Sequence, residues 1–219
     1  RVSTSEQIKR IVPVIENLSA KNVFVSVDTR DAVVAEAAID AGAAIVNDVS
    51  GLSDERMASV VASCGVSLIL MHAKGNPKSM QNDPSYNDVV TEVNDYLQDR
   101  ISVAESAGIA PCQIAVDVGI GFGKRHQDNL DLLKHTSRFL TIRKPMMIGV
   151  SRKSFLGRTG SGKSPEDRLA GSIAASVLAY ERGARLFRTH DVEETRHALN
   201  CAQAVLDIQN ASITDTSVN

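Results

Sequence analysis

Polar side chains recur at the carboxyl ends of the short apolar runs in this chain of 219 residues. They follow six runs in chain order: Asp28; Asn47 and Asp48; His72; Asp117; Ser151 and Lys153; Arg188 and His190. In proteins built from strand–helix units, ligands bind at this edge because the loops there surround the ligand. One such aspartate could simply cap the following helix. Six runs that share the pattern favour a common ligand site.

The last of these pairs suggests an anion site. Arg188 and His190 are two residues apart, and side chains two apart on a strand share a face. They can therefore offer two nitrogen donors to one anion, and phosphate sites often lie at the last strands of barrels. Asp191 then faces away and, with Glu194 three residues on, is placed to cap the next helix. Alternatively, Arg188 is a surface salt-bridge partner and His190 a buried structural residue.

Two glycine-rich stretches could bind phosphate. DVGIGFGK (117–124) is either a loop that wraps a phosphate or the end of a strand whose aspartate recognises the ligand. GRTGSGKS (157–164) fits the pattern GxxxxGK[ST] of nucleotide-binding P-loops. A P-loop must follow a buried strand directly, whereas a polar SRKS run intervenes here. Ser164, Pro165 and Asp167 also read as an ordinary helix start, so we reject nucleotide binding.

Composition excludes several classes of function. The net charge is −2, aromatic residues make up 4% and tryptophan is absent, which argues against nucleic-acid binding. No apolar run approaches 18 residues, so we expect no membrane segment. The three cysteines, Cys64, Cys112 and Cys201, form no CxxC pair. We expect buried or incidental thiols in a reducing cytoplasm. The five histidines lack the spacing of a tight zinc site.

Apolar runs and helical stretches alternate along the chain, which predicts an α/β fold with a parallel sheet. The predicted strands are 22–28, 43–49, 66–72, 113–119, 145–151 and 184–190. The predicted helices are 5–19, 31–42, 54–65, 88–108, 129–140, 165–183 and 192–209. Six strands fit a (β/α)8 barrel without its first two strands, or a smaller open sheet. We expect a single domain over 1–219, with 1–4 and 210–219 as frayed tails.

The sequence resembles dihydropteroate synthase, the pterin-binding barrel family of the folate pathway. The resemblance rests on SVDTRDAVVAEAAIDAGAAIVNDVSG, LILMHAKGNPKSMQ, GIGFGK, GVSRKSFLG, RLAGSIAA and RTHDV, in the family's order. It implies a (β/α)8 TIM barrel, here with about six of the eight strands, in a homodimer. It implies condensation of 6-hydroxymethyl-7,8-dihydropterin diphosphate with p-aminobenzoate to give 7,8-dihydropteroate and diphosphate.

The resemblance also implies which residues bind the substrates and which take part in catalysis. The implied pterin-binding residues are Asp28, Asn47, Met71, Asp117 and Lys153. Arg188 and His190 are implied for the diphosphate, and Ser151, Phe122 and Lys153 for p-aminobenzoate. The implied catalytic residues are Asp117, Lys153, Arg188 and His190. The chemistry fits, because a carboxylate such as Asp117 can accept hydrogen bonds from a pterin 2-amino group and ring N–H together.

Two features depart from the family pattern. Val118 stands where the family usually has proline, which loosens the loop slightly. The family's N-terminal strands, with the asparagine that binds Mg²⁺ and a Thr-Arg loop, have no counterpart in these residues. We therefore expect a fragment of a longer protein or a divergent member, with an implied Mg²⁺ whose ligand lies in that segment. Alternatives are a non-catalytic remnant that keeps the pterin pocket, or a methyltetrahydrofolate methyltransferase of the same fold.

In this interpretation the glycines of DVGIGFGK do not wrap a phosphate. They let the backbone leave a strand tightly and approach a flat ring, and Asp117 carries the recognition. Lys124 is then a solvated residue or an anchor of the loop.

Overall fold

A computed structural model of the chain describes residues 2–75, 84–159 and 164–214. Its strands are β1 Ser26–Thr29, β2 Ile45–Asp48, β3 Ser67–Met71, β4 Ile114–Asp117, β5 Met146–Ile148 and β6 Leu186–Phe187. Its α-helices are α1 Thr4–Ser19, α2 Ala32–Asp40, α3 Met57–Cys64, α4 Val89–Ser106, α5 His126–Lys134, α6 Ser154–Thr159, α7 Leu169–Glu181 and α8 Val192–Thr214. Short 3-10 helices cover Pro111–Gln113, Thr136–Ile142 and Glu166–Arg168.

The six strands form one parallel sheet in the order β1-β2-β3-β4-β5-β6, curled into part of a barrel wall with helices outside. This confirms the predicted α/β barrel class. The register places Asp28 beside Asn47 and Met71 beside Asp117. Because the strands run in the same direction, their carboxyl ends, and the polar residues there, meet at one edge.

The sheet is buried on its outer face. The main core packs the helices against that face, and includes Leu68, Leu70 and Val116 from the strands and Leu97 from α4. A smaller apolar layer of Ile69, Ala115 and Met147, with Ile45, forms a separate cluster on the sheet. Burial on both faces of β2 to β5 explains the near-continuous apolar runs that predicted parallel strands.

Helix caps follow the sequence signals in several places. Asp31 accepts hydrogen bonds from the amides of Val33 and Val34, and starts α2. Gly65 ends α3 in a left-handed conformation with φ +66°. Ser164 and Asp167 exchange side chain–backbone hydrogen bonds at the start of the 3-10 helix Glu166–Arg168, as predicted for a helix start.

Residues 160–163 of the GRTGSGKS stretch lie outside the described residues. Its first residues belong to α6, and β5 ends at Ile148. The stretch therefore begins inside a helix, with Gly157 in α6, and does not follow a strand directly. This arrangement differs from a P-loop and supports its rejection.

Some helix boundaries, and the exposure of some side chains, differ from the predictions. The predicted helix 129–140 divides at His135, beyond which Thr136 donates its hydroxyl to the carbonyls of Leu132 and Leu133. The short helix α6 was missed. The three cysteines are exposed, so of the two predicted alternatives, buried or incidental thiols, the buried one is wrong. Among the described residues, no helix is long and apolar enough to span a membrane.

Candidate active site

All nine predicted site residues line one cavity of about 220 Å³ at the carboxyl edge of the sheet. They come from β1 to β4 and from the loops that follow β4, β5 and β6: Asp28, Asn47, Met71, Asp117, Phe122, Ser151, Lys153, Arg188 and His190. Val49 and Gly149 also line the cavity, and sequence analysis singled out neither as a site residue. The structure therefore brings the residues of the strand-end pattern together in one cavity, and their roles in ligand binding stay predictions.

Asp117 is the buried carboxylate of the cavity. It is 5% exposed, and its Oδ1 accepts a hydrogen bond of 2.7 Å from the amide of Gly119. Burial raises its pKa, although the cations of Lys153, Lys124 and Arg188 and the Gly119 hydrogen bond oppose that rise. A carboxylate held in this way favours a ligand that supplies N–H donors.

Asn47 and Asp28 form a second polar pair on the neighbouring strands. The Nδ2 of Asn47 donates to Asp28 Oδ1 at 2.8 Å. The Oδ1 of Asn47 is buried and finds no hydrogen-bond partner among the described residues. An unmatched buried acceptor costs free energy unless a ligand supplies the donor.

Arg188 links the two outer strands of the described sheet. Its guanidinium donates to Asp28 Oδ2 at 2.8 Å, which joins the residue after β6 to β1. The Arg188 side chain is 61% exposed, so the ion pair contributes little to stability. Arg188 and His190 line the same cavity, as predicted, but their side chains hold different partners.

His190 is fixed to the loop after β5. Its Nδ1 lies 2.9 Å from the hydroxyl of Ser151, and its amide donates to the same hydroxyl at 3.1 Å. Next to this pair, the guanidinium of Arg152 binds the carboxylate of Asp191, with Nε to Oδ2 at 3.1 Å. The prediction that Asp191 is free to cap α8 was therefore wrong, because its carboxylate ties the last two loops together.

Lys153 lies between two cavities. Its Nζ donates to the carbonyl of Ile120 and lies 4.8 Å from the ring centre of Phe122. A second cavity of about 260 Å³ is also lined by Phe122 and Lys153, together with the basic side chains Lys124, His126 and Arg158. Its other lining residues include Ser154, whereas Ser151 lines the first cavity. Sequence analysis missed His126, Arg158 and Ser154.

The glycines of DVGIGFGK permit close backbone contacts. Gly119 has φ +68°, and a Cβ there would lie 1.8 Å from the carbonyl oxygen of His72. Gly123 has φ +61°, and a Cβ there would lie 2.1 Å from the carbonyl oxygen of Lys74. The loop therefore packs against the chain that leaves β3. Val118 is buried in the main core.

Gly119→Ala is expected to lower the free energy of unfolding by about 2–4 kcal/mol, because it adds a clash to an unfavourable φ. Gly65→Ala is the matched control, with φ +66° and no atom within 4 Å of the added Cβ. It should cost only about 1 kcal/mol, from the backbone conformation alone. Urea denaturation of both variants measures the difference, and equal losses would contradict the close contact at Gly119.

The buried Lys124 and the half-buried Lys153 make the stability depend on pH. Burial lowers the pKa of Lys153 to about 8 and that of Lys124 to about 7, against the partial opposition of Asp117. Unfolded lysines titrate near pH 10.4. Between these values the folded protein holds fewer protons than the unfolded chain, so raising the pH favours folding.

We expect the free energy of unfolding to rise by about 1–3 kcal/mol between pH 7 and pH 9. Above about pH 10 the sign reverses, because burial raises the pKa of Tyr86 and of Tyr96. Urea denaturation at a series of pH values tests this, and Lys153→Met should reduce the rise. A stability that is flat or falls from pH 7 to pH 9 would show that the protein does not lower the pKa values of these two lysines.

Comparison with known proteins decides the family. The family model described as "Pterin binding enzyme" matches residues 1–190. The chain belongs to the pterin-binding enzyme family. It is 39% identical to the dihydropteroate synthase of Escherichia coli K12 over 206 residues, which are 94% of this chain and 73% of that protein.

Solved structures of dihydropteroate synthases have the same fold. The Yersinia pestis structure, a complex with a sulfonamide drug, is 37% identical with a TM-score of 0.92, and the match covers 95% of this chain and 76% of that one. The Xanthomonas albilineans structure in complex with 7,8-dihydropteroate is 42% identical with a TM-score of 0.88, covering 94% and 78%. The predicted resemblance is thus confirmed.

Proposed function

We propose that this protein is a dihydropteroate synthase, a transferase that condenses 6-hydroxymethyl-7,8-dihydropterin diphosphate with p-aminobenzoate. The products are 7,8-dihydropteroate and diphosphate. The observation that carries the proposal is the cavity at the carboxyl edge of the sheet. Its lining includes the buried carboxylate of Asp117 and the unmatched amide oxygen of Asn47, together with the cationic side chains of Lys153 and Arg188. The related X. albilineans enzyme was solved with 7,8-dihydropteroate, the product of this reaction.

The polar edge of a pterin matches the acceptors of the cavity. Its 2-amino group and ring N–H can donate to the Asp117 carboxylate, one oxygen of which already accepts from Gly119. Another ring donor can reach Asn47 Oδ1. A site that depends on such hydrogen bonds rejects rings without those donors, because its buried acceptors would stay unpaired.

Arg188 and His190 are proposed to hold the diphosphate. In the reaction the bond between the pterin methylene carbon and the diphosphate oxygen breaks, and the electron pair leaves on oxygen. Cationic donors around that oxygen stabilise the developing charge. The arylamine nitrogen forms the new bond to the methylene carbon and releases a proton to water. No covalent bond to the protein is required.

The second cavity is proposed to take p-aminobenzoate. It shares Phe122 and Lys153 with the first cavity, so an arylamine there would lie next to the pterin methylene group. Phe122 offers an aromatic face to the ring of the substrate. The basic side chains of His126 and Arg158 in the second cavity suit its carboxylate. A sulfonamide resembles this substrate in shape, and we propose that the site binds such drugs, as the Y. pestis enzyme does.

Magnesium is implied by the family but finds no fit in the described part of the chain. No group of three or more histidine, cysteine, aspartate or glutamate side chains there could hold a metal ion. We therefore assign no residue of this chain to Mg²⁺.

The proposal includes a homodimer in the cytoplasm. The homodimer rests on the family resemblance alone. The three exposed free cysteines support a reducing compartment. The net charge of −2 supports small-molecule substrates rather than nucleic acid.

A product assay tests the function. The purified chain is mixed with the pterin diphosphate, p-aminobenzoate and Mg²⁺, and dihydropteroate is measured by chromatography. Product that depends on both substrates supports a synthase. Pterin binding without product would favour the non-catalytic remnant, and neither binding nor product would overturn the proposal.

A further inference from the structure

The amine of Lys124 is enclosed by protein acceptors. Lys124 is 3% exposed, and its Nζ lies 2.9 Å from His72 Nδ1. Three carbonyl oxygens also lie within hydrogen-bond distance, those of Gly119 at 2.9 Å, Phe122 at 3.1 Å and His72 at 3.4 Å, so the three N–H groups of the ammonium have four possible acceptors. These partners belong to two segments, the loop after β4 and the end of β3. One amine therefore joins the two segments.

The acceptor role of His72 is consistent with its surroundings. Burial and the nearby Lys124 charge lower the pKa of His72 to about 3, so the ring is neutral near pH 7. A neutral imidazole offers one ring nitrogen as an acceptor. The amide of His72 also donates to the carbonyl of Asp117, which ties the same residue to β4.

The loop that Lys124 closes carries the shared wall of both cavities. The carbonyl of Ile120 receives the Lys153 amine, and the ring of Phe122 lies against it. If the loop moved away from β3, both of these contacts would shift. The backbone of Gly119 packs so closely on the His72 carbonyl that no side chain fits between them.

We propose that Lys124 is a positioning residue, which clamps the loop 118–124 to the end of β3 and thereby places Phe122 and Lys153 for the second substrate. Its kinetic consequences rest on the proposed function. The clamp itself is a property of the free protein and can be measured without turnover.

The first measurement is hydrogen exchange of the ligand-free protein. In Lys124→Met the amides of 118–124 should exchange at least about tenfold faster, because the hydrogen bonds that hold the loop closed are lost. The Phe122 amide, which donates to the Gly119 carbonyl at 3.0 Å, is the most direct probe. Lys9→Met on the exposed side of α1 is the control and should leave this exchange unchanged. Unchanged exchange in Lys124→Met would overturn the clamp.

The second measurement separates positioning from direct contact, because Lys124 also lines the second cavity. The KM values of p-aminobenzoate and of neutral p-aminobenzamide are compared. A clamp predicts that Lys124→Met raises both by a similar factor, on the order of tenfold or more, because both need Phe122 and Lys153 in place. A rise for the carboxylate alone would show that Lys124 binds that group directly and would overturn the proposal. A lower kcat with both KM values unchanged would indicate a general structural role and would also overturn it.

A second pair of variants covers the case in which Lys124→Met does not fold. His72→Leu removes the ring acceptor and should increase the exchange of 118–124. His72→Asn keeps an acceptor near the Nδ1 position and should restore most of the protection. Equal exchange in both variants would contradict the role of the imidazole. If the wild-type chain forms no product but exchange changes as described, the clamp stands and the proposed function fails.

Discussion

Asp117→Asn is expected to lower kcat/KM for the pterin diphosphate by about 10²- to 10⁴-fold, with a matching loss of pterin affinity. The amide keeps an oxygen that can accept from Gly119, so the loop geometry should survive. The variant loses the negative charge, and it also presents an NH2 donor where the pterin presents donors of its own. Calorimetric titration with the pterin and steady-state kinetics measure the two effects.

Asp48→Asn is the matched control for this change. Asp48 is fully buried at the same edge of the sheet, but its carboxylate accepts from the amides of Ser50 and Leu52 and from the Ser50 hydroxyl. The same substitution there should lower stability and leave the pterin affinity of the folded protein close to that of wild type. Equal losses of affinity at Asp117 and Asp48 would mean that Asp117 has no special role in recognition.

Lys153→Met is expected to lower kcat/KM for p-aminobenzoate by about 10²- to 10³-fold, because Lys153 borders both cavities. Methionine keeps much of the apolar stem, so the change removes chiefly the amine. The amine contributes its bond to the Ile120 carbonyl, its contact with Phe122 and its charge beside Asp117. Steady-state kinetics with each substrate varied in turn measures the loss.

Lys144→Met provides the control for the loss of a largely buried amine. The side chain of Lys144 is 10% exposed and binds Glu105 and the carbonyl of Pro111, on parts of the chain that line neither cavity. Its replacement should reduce stability with little change in kcat/KM. Activity that survives Lys153→Met as well as Lys144→Met would remove Lys153 from the mechanism.

The sequence predicts that the strand-end residues lie together, as they do, because parallel strands impose a simple rule. Residues at the carboxyl ends of such strands meet at one edge, whatever the detailed packing. The prediction that Asp28, Asn47 and Asp117 lie together therefore required no knowledge of side-chain geometry. The strand runs were also identifiable, although the strands themselves are shorter than the apolar runs that contain them.

The missing details depend on contacts between residues distant in the chain. Lys124 and His72 are 52 residues apart, and Arg188 and Asp28 are 160 apart. No local pattern signals either pair. Lys124 could be read as a solvated residue or as a loop anchor, and the structure shows a buried anchor. The second cavity was missed for a similar reason. His126 lies in α5 and Arg158 in α6, and they line one cavity only because these two helices pack together.

The most direct test of the account is a crystal structure of this protein with the pterin diphosphate bound. The account predicts that the ring edge with the 2-amino group contacts Asp117 and that a ring donor reaches Asn47. It also predicts that the diphosphate lies on Arg188 and His190. A pterin bound at another edge of the sheet, or with its ring edge turned away from Asp117, would contradict the account.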